Sequence, residues 1–377
     1  MILFVSVGAL FLGAGCTNKE SSKEASNQIL IGQFGSLTGA EATFGQSTDK
    51  GIRLAIDAVN ASGGIKGKKI KLITEDNQGK PDEAAAVVKK LITQDQVVAL
   101  LGEVASNRSL AAAPIAQQFK IPMISPSSTN PKVTEIGNYI FRVCFIDPFQ
   151  GPVMAKFAFE DLKAKKVAIL KDLKSDYSLG LTEFFEKKYK ELGGAITSTQ
   201  NFQTGDTDFK AQLTAIRSEK PDAIFIPAYY TEVGLIARQV RQLGITAVLI
   251  GGDGWDSPKL FEIGGEAVEG AYYSNHYSTE SPNPATQEFI KAYKEKFNET
   301  PDGMAASGYD AAGVLIEALK RVEEITPENI RKALAETKQY PGATGTITID
   351  ENRNADKEAF IVQVKDKGLK FVRTLAL

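Results

Sequence analysis

Histidine and cysteine are almost missing from this chain of 377 residues, which has one of the first and two of the second. A single histidine excludes metal sites built on several imidazoles and any histidine dyad repeated along the chain. A Ser-His-Asp arrangement would have to use His276, which stands in YYSNHYSTE, and no G-x-S-x-G nucleophile elbow occurs. The glycines of GSLTGAEATFG have neither the spacing and lysine of a phosphate loop nor the dinucleotide pattern. Charge of one sign is also missing. With 44 Lys and Arg against 46 Asp and Glu and no block of like charge, the basic stripe of a nucleic-acid binder is not present. A non-catalytic chain without metal or cofactor is therefore expected.

Only Cys16 and Cys144 occur, and the first has a special setting. MILFVSVGALFLGAG is an apolar run that ends in small residues, with Cys16 directly after it and the polar stretch TNKESSKEASNQ beyond. The run is shorter than the roughly 20 apolar residues that cross a bilayer, and it has the length and exit of an export signal. A cysteine at that exit resembles the bacterial lipoprotein signal, in which the thiol is acylated. No Lys or Arg precedes the run, and Leu12 lies one place further from the cysteine than the usual box puts its leucine. The expectation is a leader over residues 1–15, a lipidated tether over 16–27 and attachment to the outer side of a bacterial membrane. With Cys16 lipidated no internal disulfide remains, and Cys144 in YIFRVCFI reads as a small buried apolar residue.

The length exceeds what one hydrophobic core ordinarily supports, so two lobes are expected. From residue 27 onward short β-rich runs alternate with apolar-periodic helical stretches. Strands are expected at 29–34, 69–75, 97–102, 121–125 and 139–144, with helices at 46–61, 82–94 and 107–119 between them. A helix at 149–162 opens a second series, with strands at 167–172, 195–200, 223–228 and 247–252 and helices at 178–191, 206–219 and 232–243. Helices at 285–297, 304–320 and 327–337 and a β-rich end follow. Such alternation predicts an α/β fold of parallel sheets covered by helices on both faces.

Ligands of open α/β sheets bind beyond the carboxyl ends of the strands. That rule selects the loops after 31–34, 97–102, 121–125, 167–172, 223–228 and 247–252, and three of them carry candidate polar groups. EVASNRS at 103–109 precedes an apolar helix, where Ser106 or Asn107 can cap and free N–H groups suit a carboxylate. SPSSTN at 125–130 offers Ser127, Ser128 and Thr129 as hydroxyl donors, although Ser-Pro turns also look like this. GGDGWD at 251–256 sets Asp253 between glycines, facing either an ammonium or solvent, with the broad ring of Trp255 beside it. Tyr177 and Tyr229 stand just past other strand ends, lining a pocket or covering a sheet edge.

From Ile29 to the C-terminus the chain resembles the branched-chain amino-acid binding proteins of ABC importers, within the type I periplasmic binding-protein superfamily. The resemblance is carried by IGQFGSLTGAEATFGQ, NASGGIKGKKIKLITEDNQGKPDEAA, IPMISPSSTNP, YSLGL, GGDGW and ASGYDAAGVLIEAL, in that order and spacing. It implies two Rossmann-like lobes joined by crossovers and closing around a solute, with lobe 1 over 28–147 plus 277–354 and lobe 2 over 148–276 plus 355–377. It further implies a solute carboxylate on Ser106, Ser127 and Thr129, a solute ammonium on Asp253, and a side-chain wall of Phe44, Tyr177 and Tyr229, with Trp255 next to the ammonium site. The partners it implies are a hydrophobic L-amino acid and the membrane permease, served by a monomer without cofactor. A sensing lipoprotein for amides, organic acids or aromatic compounds has the same scaffold. Asp253 replaces the glutamate of the leucine-type members, Phe44 replaces their tyrosine, and their early disulfide is missing.

Overall fold

The computed structural model describes residues 27–375, so the leader and Cys16 lie outside the described residues. The first sheet consists of β1 (Gln28–Gly35), β2 (Lys69–Asp76), β3 (Ala99–Leu101), β4 (Met123–Ser125) and β5 (Ile140–Arg142), in the order β2-β1-β3-β4-β5 with every pair parallel. Parallel neighbours require crossovers, and α1 (Ala42–Ala61), α2 (Pro81–Thr93), α3 (Ser106–Phe119) and the short α4 (Lys132–Glu135) supply them. Start signals are local: α2 has proline in its first turn with Asp82 and Glu83 beside it, a favourable arrangement at the positive end of the helix. β3 and β4 are buried at every residue because helices cover both faces.

α5 (Asp147–Lys156), continued by a π-type turn at Phe157–Asp161, leads to the second series. This runs through β6 (Lys166–Asp172), α6 (Asp176–Glu191), β7 (Ala195–Phe202), α7 (Lys210–Ser218), β8 (Ala223–Phe225), α8 (Tyr230–Gln242), β9 (Val248–Gly251), a 3-10 turn at Asp253–Trp255, α9 (Pro258–Gly264) and β10 (Tyr272–Asn275). The chain then returns to the first lobe as α10 (Pro284–Phe297), α11 (Gly303–Arg321), α12 (Pro327–Ala335) and the small antiparallel sheet β11 (Tyr340–Gly342), β12 (Gly345–Ile349) and β13 (Ala355–Asp356). Finally β14 (Ala359–Lys365) and β15 (Gly368–Leu375) add antiparallel to the second sheet, whose order is β15-β14-β10-β9-β8-β6-β7.

Each sheet has its own core. Around the first, α11 lies along α1, and Ile52, Ile56 and Val59 pack with Leu315, Ile316 and Leu319. The two backbones approach closely because Gly51 faces α11; a Cβ there would lie 2.0 Å from the Ala305 carbonyl oxygen. The second core gathers Ile169, Phe185, Phe225, Val233, Leu249 and Ile361 around β6, β8, β9 and β14. The α/β alternation matches the expected one in type and order. The helix expected over 149–162 instead ends at Lys156 in a π-type turn, and β10, hidden in YYSN before the lone histidine, was not anticipated. β10 has too few residues for alternation to show, and its pairing with β9 and β14 is what makes it a strand.

Candidate functional site

The carboxyl ends of both parallel sheets face one cleft, and the lobes meet across it. Tyr230 Oη and Thr231 Oγ1 in α8 donate to the Ala40 carbonyl at 3.0 and 2.8 Å. Thr43 Oγ1 lies 2.8 Å from Ser257 Oγ, and Asn130 Nδ2 donates to the Asp176 carbonyl at 2.8 Å. Phe44 of α1 meets Tyr229 and Tyr230 edge-on, with ring centroids 5.5 and 5.0 Å away. The conformation is closed.

On the first lobe the chain bends at Pro126 and Ser127 directly after β4, and Ser128 N donates back to Ser125 Oγ at 2.9 Å. Ser125 and Ser128 turn inward, each donating to the Glu103 carbonyl, at 2.6 and 2.9 Å. Ser127 and Thr129 turn the other way, and their hydroxyls are buried without a hydrogen-bond partner. Beside them starts α3, preceded by Ala105 in the cap position rather than by a capping side chain. Neither Ser106 nor Asn107 stands in the cap position: Ser106 is the first helical residue, its hydroxyl accepts from Asn130 N at 3.2 Å, and Asn107 Oδ1 accepts from Arg108 N at 3.0 Å. First-turn N–H groups with no side-chain cap and two unpaired hydroxyls form a ready anion site.

A buried ionic cluster fixes the start of α3. Arg108 Nη1 donates to Glu41 Oε2 at 3.0 Å and to the Gly79 carbonyl at 3.2 Å. Arg108 Nε lies 3.1 Å from Glu103 Oε1, off the N–H axis, as an ion pair. Glu103 also accepts from Ser36 Oγ, Asn77 Nδ2 and Ala105 N. Burial pushes the Glu41 carboxyl up, with Arg108 opposing it in part. Burial disfavours the charge on Arg108, but Glu103 and Glu41 outweigh it and leave the guanidinium firmly protonated.

On the second lobe Asp253 opens the 3-10 turn after β9 and is 3 % exposed. Gln150 Nε2 of α5 donates to its Oδ1 at 2.6 Å, and His276 Nε2, just past β10, lies 3.0 Å from its Oδ2. Asp147, at the start of α5, is fully buried with neither oxygen hydrogen-bonded, and Gln150 Oε1 is likewise without a partner. Burial pushes the Asp147 carboxyl up to about 8; Asp253 raises it further and Arg142 opposes the rise in part. Tyr177 stacks on Tyr229 at 5.2 Å with nearly parallel rings, and its hydroxyl accepts from Gly254 N at 3.2 Å. A Cβ on Gly252 would lie 2.4 Å from that hydroxyl and 2.8 Å from Leu181, so only glycine fits there.

Thus Phe44, Tyr177 and Tyr229 are brought together at the contact between the lobes, and Ser106, Ser127, Thr129 and Asp253 are buried at strand-end loops of the two sheets. Trp255 is not with them: its indole N–H donates to the Ile226 carbonyl at 2.9 Å and its ring lies by Gly251 and Tyr273. A buried indole needs an acceptor, and the strand end of β8 provides one inside the lobe. Asp147, Gln150 and His276 were not expected. A buried acid in the short FIDPFQG stretch has no sequence signal, and a lone histidine shows its role only when folding sets a carboxylate against it. Cys144 is a free, buried thiol whose pKa burial pushes up to about 12. Among the described residues no cluster has metal-holding geometry.

The fold and site define a two-lobed protein that closes on a small solute. The family model for periplasmic binding proteins matches residues 28–369, and the chain belongs to that family. It is 30% identical to the leucine-, isoleucine-, valine-, threonine- and alanine-binding protein of Pseudomonas aeruginosa, over 94% of each chain. Its fold matches the leucine-binding protein LivK of Thermotoga maritima with a TM-score of 0.89, at 42% identity over 92% of this chain and 98% of that one. It also matches LivJ of Streptococcus pneumoniae in complex with isoleucine, with a TM-score of 0.88 at 34% identity over 92% of this chain and 99% of that one. The chain is accordingly a solute-binding protein of the ABC-transporter type and not an enzyme.

Proposed function

We propose that the protein captures an aliphatic or other hydrophobic L-α-amino acid and delivers it to its permease. The observation that carries this reading is the burial, without hydrogen-bond partners, of hydroxyl donors and of carboxylate and amide acceptors. The Ser127 and Thr129 hydroxyls at the uncapped start of α3 suit a carboxylate, and Asp253 with Asp147 and Gln150 Oε1 suits an ammonium. A zwitterion leaves water only when both charges are matched, and charge-assisted hydrogen bonds do so at each end. The rings of Phe44, Tyr177 and Tyr229 supply an apolar wall for the side chain. The amino-acid ligands of its relatives agree with this reading. Calorimetric titration with leucine, isoleucine, valine and their analogues lacking one charged group tests it: binding lost with either charge supports the clamp, and equal binding of the desamino analogue refutes it.

A second reading, an aromatic or other organic acid without an ammonium, is favoured by the rise that burial imposes on the Asp147 carboxyl and by the three-ring wall. Benzoate and its hydroxylated forms belong in the same titration. We also propose that the protein is exported and lipid-anchored through Cys16, on the pattern of its first residues; membrane retention that survives Cys16→Ala would refute the anchor.

A further inference from the structure

His276, the one histidine of the chain, is fully buried where the chain leaves β10. Its Nε2 faces Asp253 Oδ2 at 3.0 Å, its ring lies on Phe145 with centroids 4.2 Å apart, and its Nδ1 is buried without a partner. That pattern selects a tautomer. The nitrogen facing a carboxylate carries the proton, whereas an imidazolium would also bury an unpaired Nδ1–H. The ring is then a neutral donor, as is the Gln150 amide on the other oxygen at 2.6 Å. Each carboxylate oxygen has two acceptor sites. Two neutral donors therefore hold Asp253 in place, leave its negative charge uncompensated and leave a second site open on each oxygen.

We propose that His276 is a positioning and specificity-determining residue, which aims the short Asp253 carboxylate at a cationic group of the solute. The inference rests on the reading that Asp253 receives an ammonium. With the imidazole on one oxygen and the Gln150 amide on the other, the carboxylate is held in one orientation, and loss of the ring donor frees Oδ2 to turn away from the solute.

Isoleucine is the probe, titrated calorimetrically into the full-length wild type, His276→Gln, His276→Phe and Asp253→Asn. His276→Gln keeps a neutral N–H donor and is expected to bind within about threefold of wild type, whereas His276→Phe lacks the donor and is expected to bind about tenfold or more weakly. Rescue by glutamine ties the effect to the donor rather than to the bulk of the ring. If His276→Gln and His276→Phe bind isoleucine alike while Asp253→Asn abolishes binding, the inference is overturned and the ammonium reading stands. Isoleucine that binds no wild-type protein, or binds Asp253→Asn equally well, overturns both. Where His276→Phe fails to fold, His276→Met takes its place as the variant without a donor.

Discussion

Removing one hydroxyl from the contact between the lobes gives a measurable quantity. In Tyr230→Phe the donor to the Ala40 carbonyl is lost, together with the weak acceptor 3.4 Å from Thr43 N. The Ala40 carbonyl is not orphaned, because Thr231 Oγ1 still donates to it at 2.8 Å. The edge-on contact with Phe44 at 5.0 Å needs only the ring and is retained. The loss is therefore that of one neutral hydrogen bond with its partner still satisfied, about 1 kcal/mol. It falls on the closed form alone, since in an open form both groups face water. Solute affinity should drop about fivefold. The drop should appear mainly as faster release, because related complexes differ mostly in dissociation rate. Adding Thr231→Ala leaves the carbonyl without either donor in the closed form, and a combined loss of about 2–3 kcal/mol brings the drop to roughly 30- to 150-fold. The assay is stopped-flow release of the bound solute together with equilibrium titration. Unchanged affinity in the double variant would mean that these contacts do not stabilise the bound, closed form, and the reasoning fails.

Arg108→Met leaves Glu103 and Glu41 buried without their cation, so unfolding stability should fall by about 3–5 kcal/mol, read from urea midpoints. A fall under 1 kcal/mol would mean that the cluster relaxes or takes up protons. Burial raises the Asp302 carboxyl to about 7, well above its unfolded range, with Asp256 adding to the shift. A raised carboxyl contributes stability that is present below its unfolded pKa and lost as pH rises through the folded one, here between about 4 and 7. Asp302→Asn keeps the cap on Ala305 N and should flatten the decline in Tm over that window; an identical decline in the variant refutes the assignment. Gly252→Ala drives a methyl into the Tyr177 hydroxyl and Leu181, and overpacking of about 1–3 kcal/mol at the site should weaken solute binding by about fivefold to 150-fold. Undiminished binding would show that Tyr177 moves aside freely.

The alternation of β-rich runs with helical stretches, read along 377 residues, was enough for parallel sheets in two lobes, and the strand-end rule singled out the loops that carry Ser127, Thr129 and Asp253. Those properties are local. Parallel strands need crossovers, helices need an apolar stripe, and loops at carboxyl ends converge whatever they contain. Ser127 and Thr129 were legible as candidates because the hydroxyl-rich SPSSTN segment follows a strand end. Other features depend on partners far away in sequence. Trp255 looked like pocket wall and became lobe interior because the Ile226 carbonyl, 29 residues earlier, accepts its N–H. Asp147 and Gln150 looked like an ordinary helix start. His276 looked idle until folding placed it 3.0 Å from Asp253. What the sequence determined by itself was the scaffold and the loops that face the cleft, because periodicity and turn chemistry act over a few residues. What only the tertiary structure decided was which buried polar atoms are satisfied and which are left for a solute, because that depends on the protein groups closing in from both lobes.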